Sequence, residues 1–68
     1  MSKPKNKTTG QIIREAREKQ LMAITSLSEK SGVSTGTISY IERDEVSPSI
    51  DNLMKLVKAL GLKIEDVV

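Results

Sequence analysis

The stretch Leu27–Arg43 limits the fold of this chain more tightly than any other. Two short helical patterns meet in it with only Gly32, Val33 and Ser34 between them. Gly32 sits where a helix commonly ends in positive φ, a conformation that carries no Cβ penalty for glycine. Ser34 can accept a hydrogen bond from a free N–H of the following turn and so open a new helix. In that helix Ile38 and Ile41 recur at i,i+3 and share a buried face. Ser34, Thr35, Thr37 and Ser39 then turn small hydroxyl side chains outward, with Gly36 and Tyr40 beside them.

The flanking segments carry the same kind of signal. Thr8-Thr9-Gly10-Gln11 has the form of a capping box and starts a first helix. Ile13, Ala16 and Gln20 fall on one of its faces, Ile12 lies beside that stripe, and Glu15 and Lys19 form an i,i+4 pair. A second helix covers roughly 24–31, anchored by Leu27, with Ser28 and Ser31 as small residues on the same side. The third runs from the Ser34 cap to about Arg43, and Asp44–Ser47 form a loop. Ser49 caps a fourth helix, and Asp51 suits the positive end of its dipole. Leu53, Leu56, Val57 and Leu60 give that helix the clearest 3.6-residue period in the chain. Gly61 stops it, and Leu62–Val68 makes a last short helical turn using Ile64 and Val67. No segment alternates with period two and none repeats, so the expected fold class is all-α, a compact five-helix bundle.

Length and composition narrow the functions open to such a bundle. A chain of 68 residues buries only about 60% of the surface its unfolded form exposes, which leaves a slim stability of about 3–5 kcal/mol. It holds no Cys, His, Phe or Trp, and Tyr40 is its one aromatic residue. The core must be aliphatic, and the commonest metal ligands and the usual general base are missing. With no nucleophile–base pair, no phosphate-binding glycine loop and no ligand cluster at metal spacing, no enzyme activity, cofactor or metal is expected. No apolar run reaches the ~20 residues of a membrane span. The first lysines have no apolar stretch behind them, unlike a secretory signal, so a cytoplasmic protein is expected. Net charge is +2, but three of the eleven basic residues, Lys3, Lys5 and Lys7, lie in residues 1–7 without an acid. The remainder carries eight basic and nine acidic residues and is nearly neutral. Residues 1–7 therefore read as a flexible basic arm, with 8–68 as the folded domain.

Four segments together resemble the phage repressor and Cro-like helix-turn-helix domains, the Xre family. They are Ile13–Glu18, Leu27–Arg43, Ser47-Pro48-Ser49 and Leu53–Leu62, in the family's order and at its separations. The resemblance covers about residues 9–67 and implies a lambda-repressor-like fold whose third helix, 34–43, enters the major groove of double-stranded DNA. Thr35, Gly36, Thr37, Ser39 and Tyr40, with Ser34 at the cap, match positions used on base edges or nearby phosphates. Arg17 and Glu42 match a pair that bridges the first helix to the end of the third. An Arg–carboxylate fork suits that task on chemical grounds as well. The implied function is a sequence-specific transcriptional regulator, a repressor by family habit. One such helix reads few base pairs, so a homodimer with recognition helices about 34–36 Å apart on a pseudo-palindrome is expected. The apolar C-terminal residues Ile64, Val67 and Val68 are the expected contact.

Other readings stand beside these. Lys3, Lys5 and Lys7 either follow DNA or solubilise a tail. Lys30 and Arg43 either contact phosphate or are simply solvated, and Tyr40 either packs or faces the ligand. Leu21, Met22, Ala23 and Ile24 depart from the family pattern of Gly, an apolar residue, a Ser/Thr/Asn cap and a Gln. That departure removes a helix cap and a phosphate contact. Gly36 offers no reading side chain, and Asp44 and Glu45 put negative charge where a DNA backbone would lie. Hydroxyl side chains discriminate bases less strongly than a bidentate Arg or Gln, so modest readout aided by DNA shape is expected. The acidic loop and the apolar residues Ile12, Leu21 and Ile24 support an alternative: an antitoxin-like or other module that binds a protein partner through the same scaffold.

Overall fold

Residues 7–67 are described by a computed structural model. The helices are α1 (Thr9–Lys19), α2 (Ile24–Ser31), α3 (Thr35–Glu42), α4 (Ile50–Leu60) and α5 (Ile64–Val67). Their starts follow from side-chain caps. The Thr8 hydroxyl accepts from the Gln11 N–H at 3.1 Å, and the Gln11 amide oxygen accepts from the Thr8 N–H at 3.1 Å. Ser34 caps α3 through the Thr37 N–H at 3.2 Å, and Ser49 caps α4 through the Asn52 N–H at 3.1 Å. Ala23 begins α2 with no side-chain cap at all.

The ends of the first four helices share one device, a residue in the left-handed region. Gly32 (φ 81°) and Gly61 (φ 75°) follow α2 and α4. Leu21 (φ 56°) and Asp44 (φ 62°) follow α1 and α3. At the two non-glycine sites the following N–H reaches back to close the turn: Met22 to the Arg17 carbonyl at 3.1 Å, Glu45 to the Tyr40 carbonyl at 2.9 Å. These reverse bonds satisfy carbonyls that a helix end would otherwise leave unpaired.

Between these ends the helices bury one stripe each. The core is Ile13, Leu27, Val33, Ile38, Ile41, Leu53, Leu56, Val57, Leu60 and Val67, with no aromatic among them. α2 packs on α3 and α4, while α1 packs on α3, α4 and α5. The α1–α3 contact is close enough that a Cβ on Gly10 would collide with the carbonyl oxygen of Ile41, so glycine sets that helix approach. α5 is tied down by the Thr9 hydroxyl, which donates to the Val67 carbonyl at 3.0 Å.

Three expectations need revising here. Val67, expected at a subunit contact, is a core residue with only 4% of its surface exposed. A side chain packed inside its own domain is not available to a partner. Gln20 is exposed rather than part of the buried face, but its amide donates to the Leu60 carbonyl at 2.9 Å and helps close α4. Val33, read only as a turn residue, is buried at the α2–α3 junction. Val68, Lys3 and Lys5 lie outside the described residues.

Candidate functional site

The exposed side of α3 is the candidate site. Ile38 and Ile41 point into the core, which leaves the opposite face free. Ser34, Thr35, Gly36 and Tyr40 are exposed, and Thr37 and Ser39 are half-buried along the same helix. The Ser34 hydroxyl accepts from the Thr37 N–H and donates to the Thr37 hydroxyl at 2.8 Å. Ser34 is thereby occupied as a cap, while Thr37 keeps its own hydroxyl proton to donate outward. Nothing lies within 4 Å of where a Cβ on Gly36 would stand, so the face has a gap at its centre.

What holds this helix at its angle is a buried ion pair. Arg17 from α1 donates to Glu42 at the end of α3 through Nε at 2.8 Å and Nη2 at 3.0 Å, a two-pronged fork. A third prong, Nη1, donates to the Met22 carbonyl at 2.7 Å and clasps the α1–α2 turn. The side chains are 11% and 5% exposed. The Arg17 guanidinium is held charged above its ordinary range, mainly by the hydrogen bond to Glu42. Burial works against that, and the charges of Glu42 and Glu18 add to it. Breaking such a pair leaves a charge stranded inside the protein. The α1–α3 crossing is therefore set by chemistry remote from the exposed face.

The charged residues expected around the site divide. Arg43 lies over the Tyr40 ring, 5.3 Å from its centroid, and joins the α3 face. Lys30 instead lines a groove between α2 and α4 with Lys55 and Lys58, and no α3 residue takes part in it. Lys7 is paired with Glu15 of α1. Asp44 and Glu45 follow α3 directly and are exposed.

Sequence reasoning passed over one surface. Ile50 (72% exposed) and Met54 (52%) lie one helical turn apart on the outer side of α4. Met54, Leu62 and Ile64 line a groove at the α4–α5 corner. The signal was a second i,i+4 apolar pair off the core stripe of α4, masked by the stronger Leu53–Leu60 period.

Comparison with known proteins places this geometry. Residues 13–67 match the helix-turn-helix family. The chain belongs to that family. Among its relatives, the HTH-type transcriptional regulator PuuR of Escherichia coli (strain K12) is 39% identical over 57 residues, which are 84% of this chain and 31% of PuuR. The immunity repressor protein of Bacillus phage phi105 is 33% identical over 61 residues, 90% of this chain and 42% of that repressor. This helix-turn-helix chain thus spans well under half the length of these curated relatives. Among solved structures, the P22 c2 repressor in complex with a synthetic operator is 33% identical with a TM-score of 0.86, covering 93% of this chain and 96% of that one. The all-α five-helix architecture of this chain resembles that of the P22 c2 repressor. Among the described residues, no helix is long and apolar enough to cross a membrane.

Proposed function

We propose that this helix-turn-helix chain is a sequence-specific DNA-binding transcriptional regulator, a repressor that acts by occupying an operator. The observation that carries the reading is the α3 face, with its core side packed away, Thr35, Gly36 and Tyr40 exposed, and Thr37 and Ser39 half-buried beside them. The P22 c2 repressor, built the same way, has been solved on a synthetic operator. Ser34 contributes as the cap, Arg43 as a phosphate contact, and Lys3, Lys5 and Lys7 as a basic arm along the backbone. Lys30, grouped with α4, is the weakest member of the expected set. Working on genomic DNA, the protein is cytoplasmic.

Two copies on a pseudo-palindrome complete the reading, since one recognition helix covers only a few base pairs. The contact we assign is the Ile50–Met54–Ile64 surface rather than Val67. The test is a mobility shift on DNA upstream of the chain's own gene, with sedimentation of the complex. Binding should fall by more than about twofold on a scrambled duplex, with two chains per site. Equal binding to both duplexes would remove sequence readout, and one chain per site would remove the dimer. A second reading, the antitoxin-like protein-binding module, is favoured by one observation: Leu21 is 94% exposed beside half-buried Met22 and Ile24. Stoichiometric capture of a host protein without a mobility shift would favour it.

A further inference from the structure

At the end of α3 one cation is held from two sides. The Arg43 guanidinium stands 5.3 Å from the Tyr40 ring centroid, within cation–π range. It also faces Glu45, with Nε to Oε2 at 3.4 Å and Nη2 to Oε1 at 3.5 Å. The backbone arranges this meeting. Asp44 turns left-handed, and the Glu45 N–H reaches back to the Tyr40 carbonyl, so Glu45 returns beside the turn that carries Tyr40 and Arg43. All three groups are about half exposed: Tyr40 48%, and the Arg43 and Glu45 side chains 52% and 53%. The contrast with the sealed Arg17–Glu42 fork is plain. An exposed pair this long contributes little to stability. Its two carboxylate oxygens, however, meet the guanidinium fork much as two phosphate oxygens would.

We propose that Tyr40 is a positioning residue that holds Arg43 ready for a DNA backbone phosphate, and that Glu45 is an internal phosphate surrogate which DNA displaces. The inference rests on the DNA-binding reading above. The ring limits the guanidinium to one side of α3. Glu45 keeps it there until a phosphate takes its place, so binding is an exchange of one anion for another. That exchange lowers the salt dependence of binding. Arg43 arriving at a phosphate releases a counterion, but the carboxylate it leaves behind takes up a cation.

The test is a salt titration of binding to a short mixed-sequence DNA duplex, read by fluorescence anisotropy, for the full chain and for Glu45→Gln, Tyr40→Leu, Arg43→Gln and the double variants. Glu45→Gln should bind about two- to fivefold tighter, the strength of an exposed ion pair. Its log-affinity against log-salt slope should steepen by up to ~0.9, one phosphate contact. Tyr40→Leu should weaken binding by about twofold. In the Arg43→Gln background both effects should largely vanish, because both act through Arg43. Undiminished effects in that background would overturn the proposal, making Glu45 a plain repulsive charge and Tyr40 a direct contact. If the unaltered chain binds with normal salt dependence but Glu45→Gln leaves its slope unchanged, only this inference falls. If the unaltered chain shows no salt-dependent binding, the DNA-binding reading falls with it.

Discussion

The two turns on either side of α2 solve the same problem by different means. The α2–α3 turn closes with Gly32 in the left-handed region and reopens with Ser34, whose hydroxyl caps α3. The α1–α2 turn closes with Leu21 in the same region and reopens at Ala23, which caps nothing. A left-handed non-glycine residue costs roughly 1–2 kcal/mol, and a missing cap about 1 kcal/mol more. In a domain with so little stability to spare, the second turn has to be held from outside. Arg17 does this, binding the Met22 carbonyl with one prong and Glu42 with the others. One turn is specified by its own residues, and the other is clamped by a residue from α1.

The largest effect should come from removing the clamp. Arg17→Met frees the α1–α2 turn and strands Glu42 in the interior, a loss of about 3–5 kcal/mol. Circular dichroism should then show a chain largely unfolded at room temperature. Arg17→Met combined with Glu42→Met should regain much of the loss, because the interior charge is gone. If Arg17→Met unfolds in urea at the same midpoint as the unaltered chain, the turn does not depend on Arg17.

Next comes a reciprocal exchange at the left-handed positions. Gly32→Ala should destabilise by about 1–2 kcal/mol through backbone strain alone, since nothing lies within 4 Å of the new methyl group. Leu21→Gly should stabilise by up to about 1 kcal/mol, since the side chain is almost wholly exposed and little packing is lost. Effects of the same sign in urea denaturation would contradict the contrast between the turns. Smaller again, Ala23→Ser should add about 1 kcal/mol by supplying the missing cap. No gain would mean that the first N–H groups of α2 are already satisfied by other means.

These positions also show how far sequence reading reaches. Caps and stops were legible wherever a local rule was obeyed: Thr8 with Gln11, Ser34, Ser49, Gly32 and Gly61 act through neighbours three or four residues away. The α4 core stripe was legible for the same reason, because Leu53, Leu56, Val57 and Leu60 share a face by spacing alone. What escaped depends on partners distant in the chain. Gly10 reads as part of a capping box, and only the approach of Ile41 reveals why it has no side chain. Val67 looks like an apolar end until Thr9 and the core claim it. The candidate site was legible as a face through the Ile38–Ile41 spacing. The meeting of Arg43 with both Tyr40 and Glu45 was not, because it depends on an aspartate taking a conformation that favours glycine.

The self-specified half of the comparison contains one residue that breaks a local rule. Gly36 sits inside α3, where glycine is worse than alanine by about 0.5–1 kcal/mol, and no neighbour prevents a side chain there. Packing therefore gives no reason for it, and the proposed DNA contact at the exposed face offers one. Gly36→Ala should raise the thermal midpoint by stabilising α3 and, if the proposed contact face is right, weaken binding to a mixed-sequence duplex by putting a methyl group in that gap. Opposite changes in stability and affinity would mark Gly36 as a position where contact outweighs helix propensity. A gain in stability with unchanged affinity would move the contact surface away from the middle of α3 and leave Gly36, like Ala23, as an unimproved helix residue.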